Sequence, residues 1–207
     1  MTKLNNLDYF SMGIERYQKG KYQGAIKNFT QAIELNPNYA IAYNMRGMAR
    51  EEMGDYQGAI DDCSQSIELD PNDAIPYACR GKIQYRLKEY KGAIDDLSKA
   101  ITLNPNDALV YSLRGMARSD MGDYQGVIDD YTQAIKLNPN YVVAYKNRGY
   151  ARHQLGYYQG AIDNYTKAIK LNPKDADAYN MRGLAREEMG DYIGSTKDYN
   201  QASKLRG

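Results

Sequence analysis

Few side chains in this sequence are equipped for chemistry. There is one histidine, His153, so a multi-histidine metal centre is impossible and a histidine-based catalytic centre has no second member. The two cysteines, Cys63 and Cys79, are too few for a disulfide framework and suit a reducing compartment. The acidic pairs Glu51-Glu52 and Glu187-Glu188 could in principle hold a cation or move a proton, but their place at the ends of helical patterns reads as a solvated face. Arginine recurs as Arg46, Arg80, Arg114, Arg148 and Arg182, and aspartate as Asp62, Asp96, Asp130 and Asp198. That spacing suits a ladder of inter-helix ion pairs better than an anion site. No glycine-rich phosphate loop follows a strand, and no strand is expected. The sequence therefore offers no catalytic residue, no cofactor and no metal.

The elements that would carry these residues follow from a period. Prolines fall at 37, 71, 105, 139 and 173, each 34 after the last, in a chain of 207 residues. With that proline at position 32, the repeats run 6–39, 40–73, 74–107, 108–141, 142–175 and 176–207, after an extension of residues 1–5. Position 4 is always Tyr, from Tyr9 to Tyr179, and position 17 is always Tyr, from Tyr22 to Tyr192. Position 8 is always Gly, from Gly13 to Gly183. Positions 20 and 27 are small throughout. Within repeat two, Ala42, Met45, Met48 and Ala49 recur at helical spacing, Gly54-Asp55 breaks the helix, and Ile60, Cys63 and Ile67 mark a second one. Asp70-Pro71 then ends it, as Asn36-Pro37 ends the second helix of repeat one, because the residue before proline avoids the α region.

This pattern resembles the tetratricopeptide repeat (TPR), a helix–turn–helix unit of 34 residues. The resemblance covers residues 6–207 and implies an all-α fold, a right-handed α-α superhelix in one solenoid. Two features depart from the family. The aromatic at position 4, often Trp there, is Tyr in every repeat, and position 19, usually a polar helix former, is Gly in every repeat.

What the resemblance implies about function is protein–protein interaction without catalysis. First helices line a concave groove through positions 2, 5, 6, 9 and 12. The residues so assigned are Phe10, Ile14 and Tyr17, then Asn44, Met45 and Met48, then Cys79, Lys82 and Tyr85. Leu113, Met116, Asn147, Tyr150, Met181 and Leu184 complete the set. They describe an apolar, methionine-rich groove for a peptide or helix of a partner, since methionine adapts to varied apolar side chains. Positions 2 and 9 fit packing and groove equally well. The two-carboxylate clamp by which some family members hold chaperone tails is absent; Lys146 and Asn147 are its nearest fragment.

Charge and ends add two expectations. Lys and Arg total 27 against 26 Asp and Glu, so bulk charge calls for neither nucleic acid nor an anionic membrane. Nor is there a secretory signal or an apolar run long enough for membrane insertion, which together with the cysteine use points to the cytoplasm. Repeat two is acidic and repeat five basic. The chain stops at position 32 of repeat six with nothing to cover the last helix, so homo-oligomeric association through uncapped ends is the rival expectation. A third is a regulatory module of a larger protein.

Overall fold

The computed structural model describes residues 4–207. Among these residues there are twelve α-helices and no strand. They are α1 (Asn6–Gln18), α2 (Tyr22–Leu35), α3 (Ala40–Glu52), α4 (Tyr56–Leu69), α5 (Ala74–Arg86), α6 (Tyr90–Leu103), α7 (Ala108–Asp120), α8 (Tyr124–Leu137), α9 (Val142–Gln154), α10 (Tyr158–Leu171), α11 (Ala176–Glu188) and α12 (Tyr192–Arg206). They group into two compact units, Met1–Pro105 with α1–α6 and Asn106–Gly207 with α7–α12. In each unit a helix packs on its repeat partner and on the next helix in the chain, and alternate first helices touch, α1 with α3, α3 with α5, and α9 with α11.

Position-specific chemistry sets the helix ends. The residue at position 15 has positive φ in every repeat, and it is glycine in all but repeat three, where Lys88 takes φ 64°. Pro76 sits in the first turn of α5, where its missing N–H has no intrahelical acceptor to lose.

Packing explains the glycine at position 8. A Cβ on Gly13 would lie 2.5 Å from the Phe29 ring, and one on Gly149 would lie 2.8 Å from Tyr165. The side chain at position 24 of the second helix fills that space. Alanines at positions 20 and 27, such as Ala25, Ala32, Ala161 and Ala168, are fully buried beside it.

The arginines at position 7 tie the helix pairs of repeats two, three, four and six together by ion pairs. Arg46 pairs with Asp62 at 2.7 Å, Arg80 with Asp96 at 2.7 Å, Arg114 with Asp130 at 2.6 Å and Arg182 with Asp198 at 2.7 Å. The aspartates are buried. The same guanidinium reaches back to a hydroxyl of the preceding repeat: Arg46 to Thr30, Arg80 to Ser64, Arg148 to Thr132 and Arg182 to Thr166. Each also lies over the position-4 tyrosine ring of its own helix, 5.4 Å away for Arg46 and Tyr43. The ladder is therefore structural and consumes these charges.

Position 19 glycine has a cause that lies eight residues upstream. The position-11 arginine donates to its carbonyl, as Arg50 does to Gly58 at 3.0 Å and Arg118 to Gly126 at 3.2 Å. A Cβ on Gly126 would meet Arg118 Cδ at 2.8 Å and the Asp123 carboxylate at 2.2 Å. Asp123 caps α8 by accepting from the Gly126 N–H, so the glycine leaves room for both side chains over the first turn.

Candidate partner-binding groove

Positions 2, 5, 6, 9 and 12 share one face of a first helix, because residues three and four apart are neighbours on its surface. In the unit Asn106–Gly207 that face opens into a cavity of about 390 Å³ between α9 and α11. Lys146, Asn147, Asp177, Asn180 and Met181 line it. Lys146 is held there by Asp175 at 2.9 Å, and Asn147 donates to the Tyr131 hydroxyl at 2.7 Å. The Tyr131 hydroxyl in turn donates to the Ser112 carbonyl at 3.3 Å. The cavity is thus walled by polar groups of fixed orientation with one methionine.

The residues assigned to the groove from sequence divide into four groups. Asn147 and Met181 line the cavity. Leu184 stands open on α11, 46% exposed. Most of the others are half-buried parts of the wall. Phe10, Ile14, Tyr17 and Met45 pack on the cluster of Ala25, Phe29 and Ala49. Met48 packs on Ala59, Cys63 and Ile83, and Met116 on Val127, Tyr131 and Ala151. Tyr85 stacks near Tyr90 at 5.8 Å and Tyr150 near Tyr124 at 6.1 Å. Leu113 and Lys82 are also half-buried. Asn44 and Cys79 are buried, so they shape the wall from behind and present no open surface.

What stands open is position 2. Leu7, Ile41 and Ile75 in the first unit, and Leu109 and Val143 in the second, are exposed aliphatics, with Leu109 64% exposed. Asp177 takes this position in the last repeat and lines the cavity. The sequence carried the signal, an aliphatic residue at position 2 in five repeats. The sequence did not separate packing from exposure at that position.

Glu51 corrects an expectation. It is 3% exposed rather than solvated, and its carboxylate is held by Lys82 at 2.7 Å and Arg86 at 3.6 Å, both on α5. Lys82 is therefore engaged across the junction of repeats two and three. Glu187, at the same position in repeat six, is exposed and accepts from the Tyr199 hydroxyl at 2.7 Å. His153 packs edge-on to Tyr158.

The terminal helices also differ from expectation. Positions 3 and 10 are buried Ala, Pro, Val or Ile in repeats two to six, yet repeat one has exposed Asp8 and Glu15 there. Positions 21 and 28 are isoleucine in repeats one to five and exposed Thr196 and Ser203 in α12. At these four positions the first and last repeats thus carry polar groups where inner repeats carry apolar ones, while Tyr192, at position 17 of the last repeat, is 68% exposed. No helix among the described residues is long and apolar enough to cross a membrane.

Comparison with known proteins agrees with this geometry. A profile described as Tetratricopeptide repeat matches residues 40–73, 74–107 and 108–141, and a second with that description matches 176–207. A profile described as TPR repeat matches 13–54 and 149–190. No curated protein sequence matches significantly. Among solved structures, MamA protein is similar at TM-score 0.75 and 27% identity, over 83% of this chain and 94% of that one. YrrB, titled a TPR protein with an unusual peptide-binding site, superposes at TM-score 0.80 and 21% identity, over 86% and 91%. MamA from Desulfovibrio magneticus RS-1 gives TM-score 0.75 and 21% identity, over 82% and 96%.

Proposed function

We propose, from the premise that the chain belongs to the tetratricopeptide repeat family, that it is a non-enzymatic scaffold whose first helices hold a segment of a partner protein. The observation that carries the reading is the cavity between α9 and α11, with Lys146, Asn147, Asp177 and Asn180 around Met181. Oriented amides and charges of this kind fit a peptide backbone and its polar side chains. Exposed Val143 and Leu184 supply apolar contact on the same helices, and Leu109 does so on α7, the preceding first helix. The methionines back this surface as adaptable wall residues, so the groove is amphipathic rather than simply apolar.

Self-association through the chain ends is the weaker reading. Stacking a further repeat onto either end would desolvate Asp8 and Glu15, or Thr196 and Ser203, against apolar side chains. Two buried, unpaired thiols fit a reducing compartment such as the cytoplasm. The absence of bulk positive charge favours a protein partner over nucleic acid.

Affinity capture with the whole chain tests the reading. Leu109→Glu with Leu184→Glu changes two exposed side chains and should leave helical circular dichroism intact while partner capture falls at least tenfold. Undiminished capture by that variant would place the interaction elsewhere.

A further inference from the structure

The only two cysteines of the chain meet. Cys63 is at position 24 on α4 and Cys79 at position 6 on α5, and they are 0% and 7% exposed. These positions face each other at other junctions as well. Phe29 and Met45 share one cluster, Tyr165 and Met181 another, and Tyr131 and Asn147 are hydrogen-bonded. At the junction of repeats two and three both residues are short, and the two thiols pack within one buried cluster of Ala59, Cys63, Cys79 and Ile83. Ile83 makes up the volume: it occupies position 10, which is alanine in repeats two, four, five and six. Packing in one cluster puts the pair within reach of the Cβ separation of about 3.5–4.5 Å that a disulfide requires.

We propose that Cys63 and Cys79 form a latent dithiol–disulfide site that staples repeat two to repeat three. Hydrogen peroxide serves as the oxidant. The sulfur of Cys79, the more open of the two, attacks the O–O bond; that bond breaks, Cys79 becomes a sulfenic acid, and one water leaves. The Cys63 sulfur then attacks the Cys79 sulfur. The S–S bond forms, the S–O bond breaks, and hydroxide leaves with the Cys63 proton as a second water. Two thiols and one peroxide give one disulfide and two waters. A small dithiol reverses the step by exchange.

The neighbouring Cys79 thiol, and then burial, raise the Cys63 thiol well above its ordinary value, so thiolate is scarce in the closed fold. The site therefore answers to sustained oxidant rather than to a brief pulse. Once formed, the bond would fix the α4–α5 junction, where Met48 and Cys79 form part of the wall behind the first-helix face.

The whole chain, treated with hydrogen peroxide under native conditions, is followed by intact mass, peptide mapping and thermal melting. The expected product is a monomer lighter by two hydrogens, with Cys63 joined to Cys79. Its melting midpoint is higher, because the cross-link restricts the unfolded chain, and dithiothreitol restores the original value. Thiols that both stay free, sulfinic acid without a cross-link, a bond between two chains, or a cross-linked monomer that melts lower would each overturn the proposal.

Discussion

Repeat five has the arginines of the ladder without their acids, and Asn164→Asp should repair it. In repeats two, four and six, two arginines share one buried carboxylate: Arg46 and Arg50 on Asp62, Arg114 and Arg118 on Asp130, Arg182 and Arg186 on Asp198. In repeat five, Arg148 and Arg152 flank Asn164, which is 2% exposed. Its Oδ1 accepts from Arg148 Nε at 3.0 Å, and its Nδ2 donates to the Gly160 carbonyl at 2.6 Å. Burial, and then the charge of Arg152, lowers the pKa of Arg148, as expected of a guanidinium without a counter-charge. A carboxylate at 164 would accept from Arg148 and Arg152. Replacing a neutral acceptor by a charged one adds about 1 kcal/mol per hydrogen bond, so about 2 kcal/mol for both. Desolvation of the new charge opposes this. At Asp130 burial outweighs the pull of Arg114 and Arg118 and raises the carboxyl. The net expectation is therefore a gain of about 1 kcal/mol, or about 2–4 °C in melting midpoint for a chain of this size. The assay is thermal melting by circular dichroism at neutral pH, for Asn164→Asp, Arg152→Gln and the double variant. The gain should all but vanish in the Arg152→Gln background, since one hydrogen bond of about 1 kcal/mol is gone while the desolvation cost remains. A midpoint that falls in Asn164→Asp with Arg152 intact would refute the reasoning, because desolvation would then dominate the ladder.

Two further expectations concern single positions. Lys88 holds φ 64° where the other repeats use glycine, so Lys88→Gly should stabilise the chain by about 1 kcal/mol, read as a rise in urea midpoint at unchanged slope. Asp175 caps α11 through the Ala178 N–H; burial would raise its carboxyl, but the Lys146 and backbone hydrogen bonds outweigh burial and lower it. A depressed folded-state value gives stability that is full above the unfolded value of about 3.9 and is lost as pH falls through the folded one. Urea melts from about pH 5 downward should show that acid limb, and Asp175→Asn should flatten it while keeping the cap.

The repeat frame was legible because its markers act locally. Glycine at position 15 and proline at position 32 fix chain direction wherever they occur, so the helix limits follow from one-dimensional spacing. The groove was less legible, because burial on the first-helix face depends on residues a repeat away. Asn44 and Asn180 occupy the same position, yet one is buried and the other lines an open cavity. Glu51 and Glu187 are likewise equivalent in sequence. Lys82 and Arg86, on the next first helix, draw the former inward, whereas Glu187 stays exposed. The glycine at position 19 could be seen as a cost but not explained, since its cause is the arginine side chain laid across it.

The division of labour along a repeat follows from where charge can be spent. On the side where first and second helices cross, arginine and aspartate are buried together, so a change of either partner leaves an uncompensated group. That side has little freedom. Position 5 on the opposite face reads Phe10, Asn44, Ala78, Ser112, Lys146 and Asn180, six repeats with five residue types and both apolar and charged members. Asn44 and Ser112 are buried there, whereas Lys146 and Asn180 line the cavity, so the variety is partly packing and partly open surface. Because each repeat is fixed mainly by its neighbours, the chain can vary this face repeat by repeat without losing the stack. On the proposed function, recognition chemistry belongs to the first-helix face and stability to the arginine ladder behind it.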